Sequence, residues 1–134
     1  MAERIKVPYK RYCKTLKLEN NAELIAKYKE AHAIGAIWKE IEAGMREVGI
    51  LDMEIYLTGN TLFMIMDTVI DFDHEEAMGK LGTLPRQQEW EAYVSNFQAS
   101  GEGASADEKW QLMERLFELE QVEAFEPLAG QVKK

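Results

Sequence analysis

Apolar positions divide the chain into short blocks of two different periods. In RYCKTLKL (Arg11 to Leu18), Tyr12, Lys14, Leu16 and Leu18 fall on one side and Cys13, Thr15 and Lys17 on the other. A period of two predicts a strand. NAELIAKYKEAH changes the period: Leu24, Tyr28 and Ala31 or His32 lie along one helical stripe, and Asn20 or Asn21 offers a capping side chain. Gly35 interrupts. AIWKEIEAGMREVG then resumes helical spacing through Ile37, Ile41, Met45 and Val48, with Gly49 where a left-handed residue commonly ends a helix.

LDMEIYL (Leu51 to Leu57) and TLFMIMDTVI flank the turn signal TGN, which predicts a hairpin. DFDHEEAMGKLG reads as a short helix with acids in its first turn. Pro85 is expected to open a further helix, PRQQEWEAYVSNF, at a tolerated first-turn position. QASGEGASADE is a small, polar loop, and WQLMERLFELE is expected to close the domain as a strand. The blocks give a polar lead-in over residues 1–10, an α/β domain over 11–119 and a loosely packed tail over 120–134.

The order β-α-α-β-β-α-α-β is βαββαβ with each helix broken in two. It predicts an α+β, ferredoxin-like antiparallel sheet with its helices on one face. The other face is left bare. Apolar residues alternating over Met53 to Leu57, Phe63 to Met66 and Leu112 to Phe117 are expected to be covered there, by a second copy or by a ligand.

Composition narrows the function classes. A chain of 134 residues is most simply one domain and buries roughly 68% of its unfolded surface, enough for a core. With 24 acidic against 16 basic residues, the net charge of −8 argues against nucleic acid as a partner, because phosphate binding needs a basic face. Cys13 is the one cysteine, so no internal disulfide forms, and no Cys/His cluster has zinc spacing. No signal-peptide core and no 18-residue apolar run is present, which leads us to expect a soluble, cytoplasmic protein without membrane contact.

Candidate chemistry is sparse. Tyr28 and His32 are four residues apart on one predicted helix face, so their side chains are neighbours. Spacing alone supports two readings: rings packed at a helix end with wet tips, or an imidazole that moves protons beside a phenol. Trp38 and Trp90 each read as core aromatics or as an apolar wall for the C–H face of a sugar. Glu89 and Glu91 read as solvated helix charges, although one of them could accept a sugar hydroxyl, and Asp67 or Glu54 could face a pocket. His74, among acids, is expected at the surface, and the Met-rich TLFMIMD is expected to be core rather than a cofactor box. Gly101 and Gly103 have no lysine following them, so no phosphate loop is implied, and no G-x-S-x-G or Cys–His pair suggests covalent catalysis.

Taken in order, these segments resemble the L-rhamnose mutarotase family over Arg11 to Leu119. The resemblance rests on Y-x-x-x-H (Tyr28, His32) followed by IWKEI, on the hairpin MEIYL…NTLFM, on QEW (Gln88 to Trp90) and on EKWQLMERLFEL. It implies a dimeric α/β barrel, a homodimer in which the bare sheet face packs on a second subunit. It further implies a carbohydrate isomerase that interconverts the α and β anomers of L-rhamnose or L-fucose by acid–base ring opening, with no metal and no cofactor. His32 would be the acid–base residue, Tyr28 would contact the sugar, and Trp90 would line the pocket. Met53, Glu91 and Trp38 join Trp90 as substrate-binding candidates. The family's W-P-E is here Trp38-Lys39-Glu40, and Met53 and Glu91 stand where the enteric rhamnose enzymes carry a tyrosine and a second tryptophan. AHAIGAIW and MEIY are closer to a subgroup that includes candidate L-fucose mutarotases. A non-catalytic, ligand-binding dimeric α/β barrel is the alternative that the same fold permits.

Overall fold

A computed structural model describes residues 8–98 and 109–119, and the statements below concern those residues. Residues 1–7, the QASGEGASADE loop after Gln98 and the tail 120–134 lie outside them. The first strand, β1 (Tyr9–Lys17), buries Tyr12, Lys14 and Leu16 and turns Arg11, Cys13 and Thr15 the other way, as its period requires. It begins inside the expected lead-in, because its neighbour is long enough to pair Tyr9 with Val69 and Lys10 with Thr68.

Helix α1 (Ala22–Ala31) is capped by the Asn21 side chain, which accepts from Leu24 N at 3.1 Å. After the turn around Gly35 (φ +84°), α2 (Lys39–Glu47) starts at Trp38 and lays Ile41 against the sheet. Strands β2 (Ile50–Thr58) and β3 (Thr61–Val69) form the predicted hairpin, closed by Gly59 at φ +57°. A register shift between Ile50 and Asp52 leaves Leu51 as the extra residue. This bulge lets both Ile50 and Met53 line the helix side.

Helix α3 (His74–Leu81) is capped by Asp73, whose carboxylate accepts from Glu76 N at 3.0 Å. The acids expected around this helix face solvent, but His74 does not belong with them. As its first residue it turns back toward the sheet, half-buried with its ring 4.9 Å from Tyr12 and edge-on to Phe72. Helix α4 (Gln87–Ser95) begins two residues after Pro85 rather than at it. Arg86 precedes the helix in left-handed conformation (φ 65°), so the proline belongs to the turn. Arg86 is held by stacking 4.1 Å over the Trp38 ring and by pairing with Glu40 and Glu89.

The strand order is β2-β3-β1-β4 with every neighbouring pair antiparallel, the ferredoxin-like arrangement. Tyr12, Leu16, Met53, Ile55, Leu62, Met64 and Met66 share the face under the helices and form the core with Ile41, Trp90 and Phe97. The opposite face holds Phe63 and Ile65 but also the bidentate Arg11–Asp67 pair at 2.8 and 3.0 Å and the Tyr56–Glu54 hydrogen bond. It is therefore more polar than the apolar runs suggested, since half of those residues face the helices.

The closing strand is the largest departure. Of the expected closing strand only β4 (Gln111–Leu112) pairs with β1, and one further bond, Met113 N to Cys13 O at 2.7 Å, extends the contact. A strand needs a neighbour as well as apolar content, and past Met113 the segment has left the edge of β1. Leu116, Phe117 and Leu119 stand 91%, 77% and 85% exposed. None of the described helices is long and apolar enough to cross a membrane.

Gly49 carries a specific backbone demand. Its φ is +105°, and a Cβ there would lie 2.9 Å from Val69 Cγ2 and 3.3 Å from Phe72 Cδ1. Gly59 has positive φ but open space around it. Gly49→Ala should therefore cost about 2–3 kcal/mol, against about 1 kcal/mol for Gly59→Ala. Urea unfolding of both variants checks this, and equal losses would contradict the packing argument.

Candidate active site

Between the sheet and its helices lies a cavity of about 430 Å³, within the ~300–1,000 Å³ range of small-molecule pockets. Its floor is apolar: Met53, Ile55, Leu62, Met64 and Met66 rise from β2 and β3. One face of α4 and its exit makes a wall through Gln87, Trp90, Glu91, Val94 and Gln98, spaced at helical intervals. Tyr28 and His32 form another wall at the end of α1, and Lys109 and Trp110 close the cavity beside β4.

His32 ends α1, where helical carbonyls lack partners. Its Nδ1 lies 2.9 Å from the Tyr28 carbonyl oxygen. A carbonyl only accepts, so Nδ1 carries the hydrogen and Nε2 is the nitrogen left to take a proton. The imidazole stacks on the Tyr28 ring at 4.0 Å and 22°, with the Trp90 ring edge-on at 5.3 Å. Burial pulls the His32 pKa below its ordinary value, and the bond to the Tyr28 carbonyl opposes that only in part. The ring is thus neutral near pH 7, the form a base needs. Burial pushes the Tyr28 phenol well above its usual range, an effect that the nearby Gln98 side chain opposes only in part, so it remains protonated.

Among the remaining candidates, Met53, Trp90 and Glu91 line the cavity. Glu91 Oε2 accepts from Gln87 Nε2 at 3.0 Å. Trp38 is not among the lining residues. It stands behind Trp90, edge-on at 5.2 Å, and stacks on Tyr93, so it supports the wall from outside. Neither Asp67 nor Glu54 lines the cavity, because both share the opposite sheet face.

Sequence reasoning missed four polar residues. Lys14 sits in mid-strand and is 2% exposed, yet its alternation with Tyr12 and Leu16 already placed it on the inner face. Lys109 Nζ donates to Glu91 O at 3.1 Å and Ser95 Oγ at 2.7 Å, and burial lowers its pKa. Gln87 and Gln98 had a signal in their helical spacing from Trp90, which was overshadowed by the aromatic residues. No group of three His, Cys, Asp or Glu that could hold a metal ion occurs among the described residues.

This arrangement of proton-handling and stacking groups in a small-molecule cavity can be set beside known proteins. The profile of the L-rhamnose mutarotase family matches residues 11–119. An L-fucose mutarotase of Xanthomonas campestris pv. campestris is 35% identical over 109 residues, covering 81% of this chain and 87% of that protein. A UPF0734 protein of Dictyostelium discoideum is 37% identical over 91 residues, covering 67% of this chain and 71% of its own. The crystal structure of an L-rhamnose mutarotase from Formosa agariphila superposes with a TM-score of 0.52 at 15% identity, covering 82% of this chain and 98% of that one, and so supports the fold.

The protein is therefore a carbohydrate isomerase of the epimerase class. More particularly, it belongs to the L-rhamnose mutarotase family.

Because His32 has a lowered pKa, the unfolded chain binds the extra proton first as pH falls. This group's contribution to stability is complete above about pH 6.5 and declines below it, toward the lower folded value. Nitrogen-15 NMR should show His32 as the Nδ1–H tautomer at pH 7.5, titrating below the free-histidine value. A protonated Nε2 at that pH would contradict the assigned hydrogen bond.

Proposed function

We propose that this protein interconverts the α and β anomers of a 6-deoxy hexose, L-fucose or L-rhamnose, by opening and reclosing the ring. The observation that carries the reading is His32, neutral, with Nδ1 tied to the Tyr28 carbonyl, set against the Tyr28 phenol and Trp90 in one cavity. His32 Nε2 takes the proton of the anomeric hydroxyl, its oxygen becomes the aldehyde oxygen, and the C1–ring oxygen bond breaks. The ring oxygen leaves as an alkoxide, a much stronger base than a phenolate, so the Tyr28 hydroxyl protonates it despite its raised pKa. Rotation about C1–C2 presents the other carbonyl face. The ring hydroxyl then adds to C1, giving its proton to Tyr28 while His32 returns its own to O1.

Trp90 supports this chemistry by offering a flat apolar surface to the sugar's C–H face. Met53 extends that surface from the sheet, and Glu91, held by Gln87, supplies an acceptor for a sugar hydroxyl. The likeness to an L-fucose mutarotase at 35% identity favours L-fucose as the first sugar to test. We infer further that the working form is a homodimer, because Leu116, Phe117 and Leu119 together expose apolar surface that a second copy would cover.

His32→Ala should slow anomer exchange by on the order of 10²–10⁴-fold while keeping the fold. Saturation transfer between the anomeric proton signals of L-fucose and of L-rhamnose measures this with catalytic amounts of protein. A variant as fast as the wild type removes His32 from the chemistry, and sugar binding without exchange moves the protein to the ligand-binding class.

Sedimentation equilibrium should return twice the chain mass. Leu116→Glu combined with Phe117→Glu should shift the protein toward the single-chain mass; a wild-type monomer would exclude the dimer.

A further inference from the structure

Arg86 stands where the backbone favours glycine. Leu84 to Gln87 has the marks of a type II turn: Gln87 N donates to Leu84 O at 3.2 Å, Pro85 occupies the second position, and Arg86 at the third has φ 65° and ψ 3°. Glycine enters that conformation without the crowding that a Cβ brings, and Arg86 is the one non-glycine residue with positive φ among the described residues. Strain of this kind persists where the surroundings hold the residue in place. The arginine side chain must therefore make contacts that glycine could not.

Two of those contacts are ion pairs, to Glu40 at 3.5 Å and to Glu89 at 3.4 Å. All three side chains are exposed, and water screens such pairs until they contribute little. The third contact is flat: the guanidinium carbon lies 4.1 Å over the Trp38 ring. Trp38 meets the Trp90 ring edge-on at 5.2 Å, and Trp90 meets His32 edge-on at 5.3 Å. Trp90 is also tied to Arg86 through the backbone, since its N–H donates to the Arg86 carbonyl at 2.9 Å. Two routes thus lead from Arg86 to Trp90, one along the start of α4 and one through the ring that starts α2.

We propose that Arg86 is a positioning residue for Trp90: from outside the cavity it holds Trp38 against the Trp90 ring and so fixes the wall that grips the sugar beside His32. The proposal rests on the reading of Trp90 and His32 as a sugar site given above. Trp38 and Arg86 each precede the first residue of a helix, and neither caps that helix with its side chain. Their stack is instead a clamp between the starts of α2 and α4. With the guanidinium over its face and Tyr93 stacked on it at 5.9 Å and 23°, Trp38 has little freedom to swing away from Trp90. A wall already in place loses less freedom when a sugar arrives. Trp90 meets the sugar alike before and during ring opening, so its order is read in KM more than in kcat.

Arg86→Gly separates the two routes. It suits the turn and keeps the backbone carbonyl that accepts from Trp90, while it removes the clamp on Trp38. KM for L-fucose should rise about tenfold, with kcat within about threefold of the wild type. In a Trp38→Leu background the same substitution should add nothing further, because the ring through which Arg86 acts is gone. The His32 ring-proton signals of the sugar-free protein, which feel the edge-on Trp90 ring, should move on Arg86→Gly. Gly59→Ala, which strains the hairpin turn away from the cavity, is the control for lost stability alone and should leave KM and those signals unchanged.

Unmoved His32 signals in Arg86→Gly would refute the positioning. Moved signals with an unchanged KM would refute its bearing on the sugar, and equal changes in Gly59→Ala would reduce Arg86 to a stabilising residue. A wild type that exchanges neither sugar overturns the proposed function instead, and the His32 signals then decide by themselves whether Arg86 positions Trp90.

Discussion

The hydrogen bond from His32 Nδ1 to the Tyr28 carbonyl is the contact on which the site depends. A helix end has carbonyls to satisfy, and here one of them accepts both the His32 backbone N–H, at 3.2 Å, and the His32 ring. This local need selects the tautomer, presses the imidazole onto the Tyr28 ring and brings it to the edge of Trp90. A secondary-structure terminus thus performs the task that a buried carboxylate performs in other histidine sites, without adding a negative charge. The histidine stays a neutral, moderate base. That is the form required by the proposed proton exchange with a hemiacetal, where the same group must release what it has taken.

Around this contact the protein places its few buried polar groups with care for their partners. Lys109 loses solvation but gains the Glu91 carbonyl and the Ser95 hydroxyl, while the Glu91 carboxylate holds Gln87. The Lys109 bonds cross from the segment beside β4 to α4, and the Gln87–Glu91 bond ties α4 to itself along the wall bearing Trp90. Acids dominate the chain as a whole, yet the cavity receives two buried lysines, Lys14 and Lys109. Surface charge and interior charge answer to different demands: solubility outside, orientation within.

How much of this was legible follows from the range of the forces involved. The alternation of β1, the hairpin turn, an asparagine cap at Asn20 or Asn21 and the positive-φ role of Gly49 are local matters, decided within a few residues, and they were readable. The extent of β4 was not, because a strand's length is set by its neighbour. Pro85 was misplaced because a proline near a helix start fits the first turn or the approach equally well until Arg86 is seen at φ 65°. His74 was assigned to solvent by its acidic neighbours, whereas its helix position turned it toward Tyr12. In the site, Tyr28, His32 and Trp90 were visible through spacing and family resemblance. Trp38 shared their aromatic character and yet lies one layer out, and Gln98 is separated from Tyr28 by seventy positions that only the fold brings together.

The pairing of β4 with β1 joins the beginning of the described chain to its end. During synthesis, a ribosome that has released residues up to Gln98 has supplied β1, the hairpin and all four helices, including the Tyr28–His32 pair. Lys109 and Trp110 are still inside the machinery, so the cavity lacks the side they provide. A nascent chain is therefore a nearly finished scaffold with an open flank. The cavity closes on that side only once the segment carrying Lys109 and Trp110 has joined the sheet beside β1.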